Sequence, residues 1–283
     1  MIIIDYNPII IAPLVQGTCR EDDVGLLRHI VLNTIRSYRQ KFKSEYGEVI
    51  LAADGGGNWR KKIFPQYKAH RKDDRDKSRI DWETAWESVR TITKEIDENL
   101  PYLFIKQYGC EADDTIAELC RYTQIFGNTE PVVIVASDYD YVQLLRWKNV
   151  KQFSPILGKF VNKSPHEYRK EHFITGCKGD GVPSALDDDN QLVEGRKKTT
   201  LTAKKKAQLL EDPKSLGPEI YQNYLRNKIL IDLIQTKCPE DVREEIINKL
   251  ESHPKDKNQG KLLNYLKDND CRQLMAQAAE FIN

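Results

Sequence analysis

Four short runs of unbroken apolar residues, 2–4, 49–53, 102–105 and 131–136, alternate with longer stretches in which apolar positions recur every three to four residues. Ile- and Val-rich runs of this length predict strands, and the 3.6-residue recurrence predicts helices over about 22–46, 81–99 and 111–126. Strands without polar alternation are buried on both faces, so a largely parallel sheet flanked by helices is expected. Two further extended pieces, 150–153 and 159–161, flank Gly158 and predict a hairpin. Beyond residue 164 the strand pattern stops, and helices are expected at 165–175, 202–211, 219–233, 239–250 and 271–282. The predicted architecture is an α/β unit over 1–163 and a helical region over 164–283. Trp82 and Trp86, one helical turn apart, are expected to pack in the core or at a hinge.

With 40% hydrophobic and 9% aromatic residues, the 283-residue chain is neither disordered nor fibrous. No apolar run approaches the roughly 20 residues that cross a bilayer, and residues 1–5 carry no basic leader, so no membrane span or signal peptide is expected. Six cysteines without a CxxC pair predict reduced intracellular thiols. The net charge of +1 hides strong segregation. Residues 59–79 carry +6, and so do residues 195–206.

The acids gather where predicted strands end. Asp5 closes the first and Asp54 the second, the latter running into Gly55, Gly56 and Gly57. Glu111, Asp113 and Asp114 open the helix after the third, and Asp138 and Asp140 follow the fourth. A single Asp after a strand is ordinarily a helix cap or a turn residue. Seven acids brought by four elements to one edge, where open α/β sheets bind ligands, exceed what capping requires. Two carboxylates about 4 Å apart repel by about 4 kcal/mol at an effective dielectric of about 20, so such a cluster must hold cations or protons.

No His or Cys interleaves with these acids (Cys110 is nearest), and His29, His70, His166, His172 and His253 are scattered. A hard, all-oxygen site for Mg²⁺ or Mn²⁺ is therefore expected, and zinc is disfavoured. Two such ions about 3.5–4 Å apart activate water and stabilise the leaving oxygen of a phosphodiester. The basic segment beginning five residues after Asp54 must lie beside that edge, and its Trp59, Phe64 and Tyr67 suit base stacking.

The ordered set of motifs resembles the structure-specific 5′-nucleases, which include flap endonucleases and the 5′-nuclease domain of bacterial DNA polymerase I, and within them the phage ribonucleases H. It comprises Ile4-Asp5, Ala53-Asp54, Trp59-Arg60-Lys61 with Tyr67-Lys68 and Arg71, Glu111-Ala112-Asp113-Asp114, Ser137-Asp138-Tyr139-Asp140, Val150-Lys151-Gln152 with Ser154-Pro155, and Val193-Glu194-Gly195. The resemblance implies a two-metal phosphodiesterase acting on RNA or DNA at 5′ ends and flaps. It implies metal ligation by Asp5, Asp54, Glu111, Asp113, Asp138, Asp140 and Asp180, with Asp114 counted among the metal-site acids in a supporting place. Catalysis would fall to Lys68, Arg71, Asp54 and Asp138, with Lys68 and Arg71 reaching the scissile phosphate from a helical arch at about 59–80.

Nucleic-acid contacts implied by the resemblance are Arg60, Lys61, Tyr67, Lys68 and Arg71, and, in a helix–three-turn–helix element over about 176–210, Arg196, Lys197, Lys204, Lys205 and Lys206. The implied cofactors are two Mg²⁺ or Mn²⁺ ions, with K⁺ a candidate at that element. The implied partners are 5′-flap DNA, forks and RNA–DNA hybrid, with a replication single-strand binding protein or clamp as candidates for the tail after Pro254. The implied setting is a monomer in the cytoplasm of a phage-infected bacterium.

One departure matters. Where the family carries Gly-Asp-x-x-Asp-Asn-x-Pro, this chain reads Gly176-Cys177-Lys178-Gly179-Asp180-Gly181 before Val182-Pro183. Cys177 takes the place of the first Asp, or, with a gap, Asp180 takes it and the second is lost. Either way the second metal position is short of one carboxylate, and weak or Mn²⁺-biased occupancy is expected. Asp187, Asp188 and Asp189 are expected to form a solvated turn. Two other functions compete: a relative that grips branched DNA with catalysis weakened or lost through Cys177, and a minimal toxin-type ribonuclease. The basic insert and the long helical region disfavour the latter.

Overall fold

The structure, a computed structural model, describes residues 1–125, 129–254 and 259–282. In chain order it runs β1 (Ile2–Asp5), α1 (Tyr6–Val15), α2 (Val24–Tyr46), β2 (Val49–Asp54), α3 (Trp59–Ile63), α4 (His70–Asp76), α5 (Trp82–Asn99), β3 (Leu103–Gln107), α6 (Ala112–Ile125) and β4 (Val132–Val135). A 3₁₀ segment (Tyr139–Arg146) leads to β5 (Val150–Ser154) and β6 (Lys159–Phe160). There follow α7 (Pro165–Thr175), α8 (Ala203–Glu211), α9 (Pro218–Ile231), α10 (Glu240–Ser252), α11 (Gln259–Asp268), α12 (Arg272–Met275) and a closing 3₁₀ turn (Ala278–Phe281). Phe126, the expected end of α6, lies outside the described residues.

The sheet has the order β3-β2-β1-β4-β5-β6 and is parallel except for the β5–β6 hairpin. Ile2, Ile4, Leu51, Val133 and Val135 point into one apolar layer with α1, α2 and α5. Their neighbours Ile3, Ile50, Ala52 and Ile134 point into a second layer beneath α6 and α10. Each fully buried Ile or Val contributes about 1.5–3 kcal/mol, which fixes the register and therefore the edge at which each strand ends.

Two expectations need correction, and one element goes beyond them. The run at 6–15 is a helix although it carries Pro8 and Pro13. Pro8 falls in the first turn, where backbone N–H groups have no helical partner, and Pro13 gives up one bond near the far end. The expected helix at 271–282 is broken into α12 and the 3₁₀ turn. The apolar part of the tail does not offer a docking face. Leu262, Tyr265, Leu266, Leu274 and Phe281 are buried in the first sheet layer, against residues of α2 and α5. Residues 255–258 of that tail lie outside the described residues. Among the described residues no helix is long and apolar enough to cross a membrane.

Candidate active site

Because β1 lies between β2 and β4 in parallel register, the ends of these three strands are neighbours. Asp5 ends β1, Asp54 ends β2, and Asp138 follows β4 by three residues. Gly55 is required after Asp54: a Cβ there would fall 1.6 Å from the Gln107 carbonyl oxygen. The helix N-cap position at Asp5 has no capping hydrogen bond from its side chain, so capping does not explain that acid. Asp5, Asp54, Asp113, Asp138 and Asp180 line one cavity of about 690 Å³ together with Lys68 and Arg71.

Neighbours aim these carboxylates. Asn7 Nδ2 donates to Asp54 Oδ2 at 2.8 Å, and the Ala112 N–H donates to Asp54 Oδ1 at 2.9 Å. The Tyr141 hydroxyl lies 2.5 Å from Asp113 Oδ1 and 3.1 Å from Asp5 Oδ2, and its single proton serves two carboxylates. Burial, then the charge of Asp54, pushes Asp5 up to about 7. Asp113 is raised well above the carboxylate range by burial and then by Asp138. Asp138, which reaches the cavity solvent, is pushed up to about 6 by the protein around it and by Asp140. Oxygen donors with this much uncompensated charge fit a hard divalent cation.

A consequence for stability follows. Between the unfolded value of 3.8 and the folded value of about 7, Asp5 binds more proton folded than unfolded, so its contribution falls as pH rises through that window. Without divalent ions, Asp5 contributes about 1.4 kcal/mol less at pH 8 than at pH 6, and the melting temperature at pH 8 is expected to lie about 2–4 °C below that at pH 6. Saturating Mg²⁺ is expected to close the gap. Scanning calorimetry at the two pH values, with EDTA or Mg²⁺, checks both parts, and a gap that Mg²⁺ leaves unchanged contradicts the assignment.

Lys68 stands at the cavity rim in an unusual backbone state, with φ of 56° in a non-glycine residue. Its N–H donates to the Asp180 carbonyl at 2.8 Å, and its Nζ reaches Glu111 Oε1 at 2.5 Å and Asp180 Oδ1 at 3.3 Å. Burial alone would raise Asp180, but Lys68 and Arg71 hold it below the usual range. Gly181 makes this contact possible, since a Cβ there would come within 3.0 Å of the Lys68 nitrogen. Local strain held in place by a charge network is typical of functional positions. Arg71 is exposed on α4, which buries none of its own residues.

The structure divides the other expected residues. Arg60 is only 2% exposed and pairs bidentately with Asp114, at 2.7 and 2.9 Å, beneath the Trp59 ring. Asp114 also accepts from the Trp59 indole and the Glu111 N–H. Asp114 is therefore corrected from a metal-site acid to the buried partner of Arg60, and Arg60 from a nucleic-acid contact to a strut. Tyr67 is likewise buried, donating to Glu111 Oε2 at 2.7 Å, and Trp59 and Phe64 are buried with it. The expected stacking surface is interior because these aromatics seal the base of the arch against α6 and α9. Lys61 stays exposed and lines a neighbouring cavity with Glu111.

Trp82 and Trp86 do more than pack. With Pro8, Ile11 and Val15 they form an apolar wall of the main cavity, and Trp86 is 36% exposed. Asp187 is buried rather than solvated, accepting from the Ser184 hydroxyl and the Thr199 N–H. Lys197, Lys204 and Lys205 are exposed, whereas Arg196 pairs with Asp188 and Glu194, and Lys206 pairs with Glu171.

Asp140 turns away from the main cavity toward α7. Tyr168 OH donates to its Oδ1 at 3.1 Å, His172 Nε2 lies 2.8 Å from the same oxygen, and Cys177 completes the group. The expectation of acids without His or Cys is corrected here. His172 is 32 positions from Asp140 in sequence, and only the packing of α7 on the 3₁₀ segment joins them. Asn7 and Tyr141, which orient the acids, also gave no sequence signal.

The family model described as the 5′-3′ exonuclease N-terminal, resolvase-like domain matches residues 21–176, more than half of the chain. The chain belongs to the 5′-3′ exonuclease family. This family member is 27% identical to the ribonuclease H of Enterobacteria phage T4 over 278 residues, covering 93% of this chain and 90% of the relative. It is 34% identical over 115 residues to the DNA polymerase I of Pseudomonas aeruginosa, covering 41% of this chain and 11% of that protein. Among solved structures, its fold matches a bacteriophage T5 flap endonuclease in complex with DNA and metal ions, with a TM-score of 0.62, 17% identity and coverage of 88% of this chain and 97% of that one. It also matches the T5 5′-exonuclease with zinc bound, with a TM-score of 0.64, 16% identity and coverage of 90% and 99%.

Proposed function

We propose that the chain is a divalent-metal-dependent 5′-nuclease that hydrolyses phosphodiesters at 5′ flaps and in RNA–DNA hybrids, as in removal of RNA primers from the lagging strand. The observation that carries this reading is the convergence of Asp5, Asp54, Asp113, Asp138 and Asp180 in one cavity whose rim bears Lys68 and Arg71. Asp5, Asp54, Asp113 and Asp138 would hold one Mg²⁺ or Mn²⁺, and Asp138 with Asp180 would face a second. Bound there, such ions supply a deprotonated water and neutralise charge on the phosphoryl oxygens.

The protein's own groups do the rest. Asn7 and the Ala112 N–H keep both Asp54 oxygens aimed into the cavity. Lys68 exchanges its contact with Glu111 or Asp180 for the scissile phosphate, and Arg71 stabilises charge growing on it. The apolar wall of Trp82, Trp86 and Ile11 offers a dry face to a base next to the cut. Glu111 keeps Lys68 in place.

Duplex is held away from the cavity by contacts to its phosphates. Lys197, Lys204 and Lys205, with Arg196 and Lys206 once released from their acids, would neutralise phosphates without reading sequence. The segment over about 176–210 would act as the helix–three-turn–helix element, with K⁺ as its candidate ion. A single-strand binding protein or clamp as partner, action as a monomer and a setting in the cytoplasm of an infected bacterium complete the proposal. The test is incubation of 5′-labelled flap DNA and RNA–DNA hybrid with Mg²⁺, Mn²⁺ or EDTA. Short 5′ products are expected with either metal and none with EDTA; tight binding without metal-dependent product contradicts the reading.

A further inference from the structure

The group formed by Asp140, His172 and Cys177 has a different chemistry from the main carboxylate-lined cavity. One ligand atom from each of the three lies within 4.8 Å of the others. His172 Nε2 is buried and lies 2.8 Å from Asp140 Oδ1, an ion pair when the ring is protonated. With the ring neutral, that same nitrogen and oxygen are free to ligate a metal ion in place of the shared proton.

All three side chains are held from behind. Tyr168 stacks on the His172 ring, with centroids 5.0 Å apart, and donates to Asp140. Gly176, at φ +69° and with no room for a Cβ beside the Pro183 carbonyl, turns the chain at the end of α7. Cys177 is then pinned by two 2.9 Å backbone bonds to Val182. The geometry is set by backbone and neighbours, not by the thiol.

We propose that Asp140, His172 and Cys177 form a mixed oxygen, nitrogen and sulfur site that binds a zinc-class divalent ion. Zinc takes three protein ligands and leaves a fourth position to water, and tetrahedral coordination sets ligand atoms about 3.3–3.8 Å apart. The Cys177 sulfur reaches that spacing by closing at most about 1 Å, while Asp140 Oδ1 and His172 Nε2, now 2.8 Å apart, open by about 0.5–1 Å. Mg²⁺ avoids sulfur and nitrogen, so the site discriminates against the ion that suits the neighbouring carboxylates. On binding, the Cys177 thiol gives up its proton to solvent and the thiolate ligates. The site adjoins the nuclease cavity through the turn in which the Asp140 N–H donates to Asp138 Oδ1 at 2.8 Å. An ion held here therefore fixes the loop that carries Asp138.

Cobalt replaces zinc in such sites and reports sulfur ligation by a thiolate-to-metal charge-transfer band. The full chain, stripped of metal, is titrated with Co²⁺ in excess Mg²⁺, and Zn²⁺ affinity is measured by competition with a chromophoric chelator. One equivalent of Co²⁺ giving the band, displaced by Zn²⁺, is expected. Cys177→Ser should abolish the band and weaken Zn²⁺ at least about tenfold, and His172→Gln, on a separate element, should weaken Zn²⁺ by a similar factor. Cys177→Asp should lose the band and move preference toward Mn²⁺ and Mg²⁺. Co²⁺ binding without the band, or Zn²⁺ affinity unchanged in both Cys177→Ser and His172→Gln, overturns the proposal. Cleavage with Mg²⁺ in zinc-free buffer is scored separately, so failure of this site and failure of the nuclease reading are distinct results.

Discussion

Asp138→Asn is expected to slow Mg²⁺-dependent cleavage of a labelled RNA–DNA hybrid by about 10³-fold while substrate binding stays equal or tightens. Asp138 lines the cavity between Asp113 and Asp180, and its carboxylate is the donor that both proposed ion positions would share. Stabilisation by a catalytic metal is worth several kcal/mol, and about 1.4 kcal/mol is a factor of ten, which gives the magnitude. Asn retains the side-chain oxygen that accepts the Asp140 N–H, so the turn survives and a loss of rate is not a loss of fold. Removing a negative charge beside an incoming phosphate lowers repulsion, hence the equal or tighter binding. Single-turnover rates and fluorescence anisotropy separate the two effects. A variant rate within about tenfold of the parent contradicts the assignment of Asp138.

Arg60→Met is expected to have the largest effect on stability, about 3–5 kcal/mol in urea denaturation. The guanidinium is buried, forks onto Asp114, and donates through Nε to the Leu230 carbonyl at 2.8 Å, joining α3, α6 and α9. Met fills a similar volume, so the loss comes from leaving the Asp114 carboxylate buried without its cation rather than from a cavity. Arg60→Met combined with Asp114→Asn should recover part of that loss, since the stranded charge is gone. The same network holds Glu111 behind Lys68, so the single variant should also lose cleavage under conditions where it remains folded. A single-variant change below about 1 kcal/mol, or a double variant no more stable than the single, contradicts the role given to Arg60.

The elements that carry the site were legible because parallel strands buried on both faces leave unbroken apolar runs, and the acids at 5, 54 and 138 sit at the ends of three of them. The direction of side chains within the basic insert was not legible. Arg60 and Lys61 are adjacent and chemically alike, yet one is a buried strut and the other is exposed, because only the former meets an acid on α6. Composition treats Asp113 and Asp114 alike, but adjacent helical residues face different directions, one toward the cavity and the other toward Arg60. α1 was hidden by its two prolines, which fall where a helix tolerates them. α11 carried a usable signal in the spacing of Leu262 and Leu266, which marked a core face rather than a docking face. The mixed-donor group was the least legible feature, since it arises from contacts between α7 and the segment after β4 that have no sequence period.

The central claim is that side-chain oxygens of Asp5, Asp54, Asp113, Asp138 and Asp180 together trap divalent cations. Anomalous diffraction from a crystal soaked in Mn²⁺ tests it most directly. The expected map has at least one strong manganese peak inside the cavity, within direct ligand distance of two or more of these carboxylates. A clean map with no peak there, or with manganese bound only elsewhere on the surface, contradicts the claim.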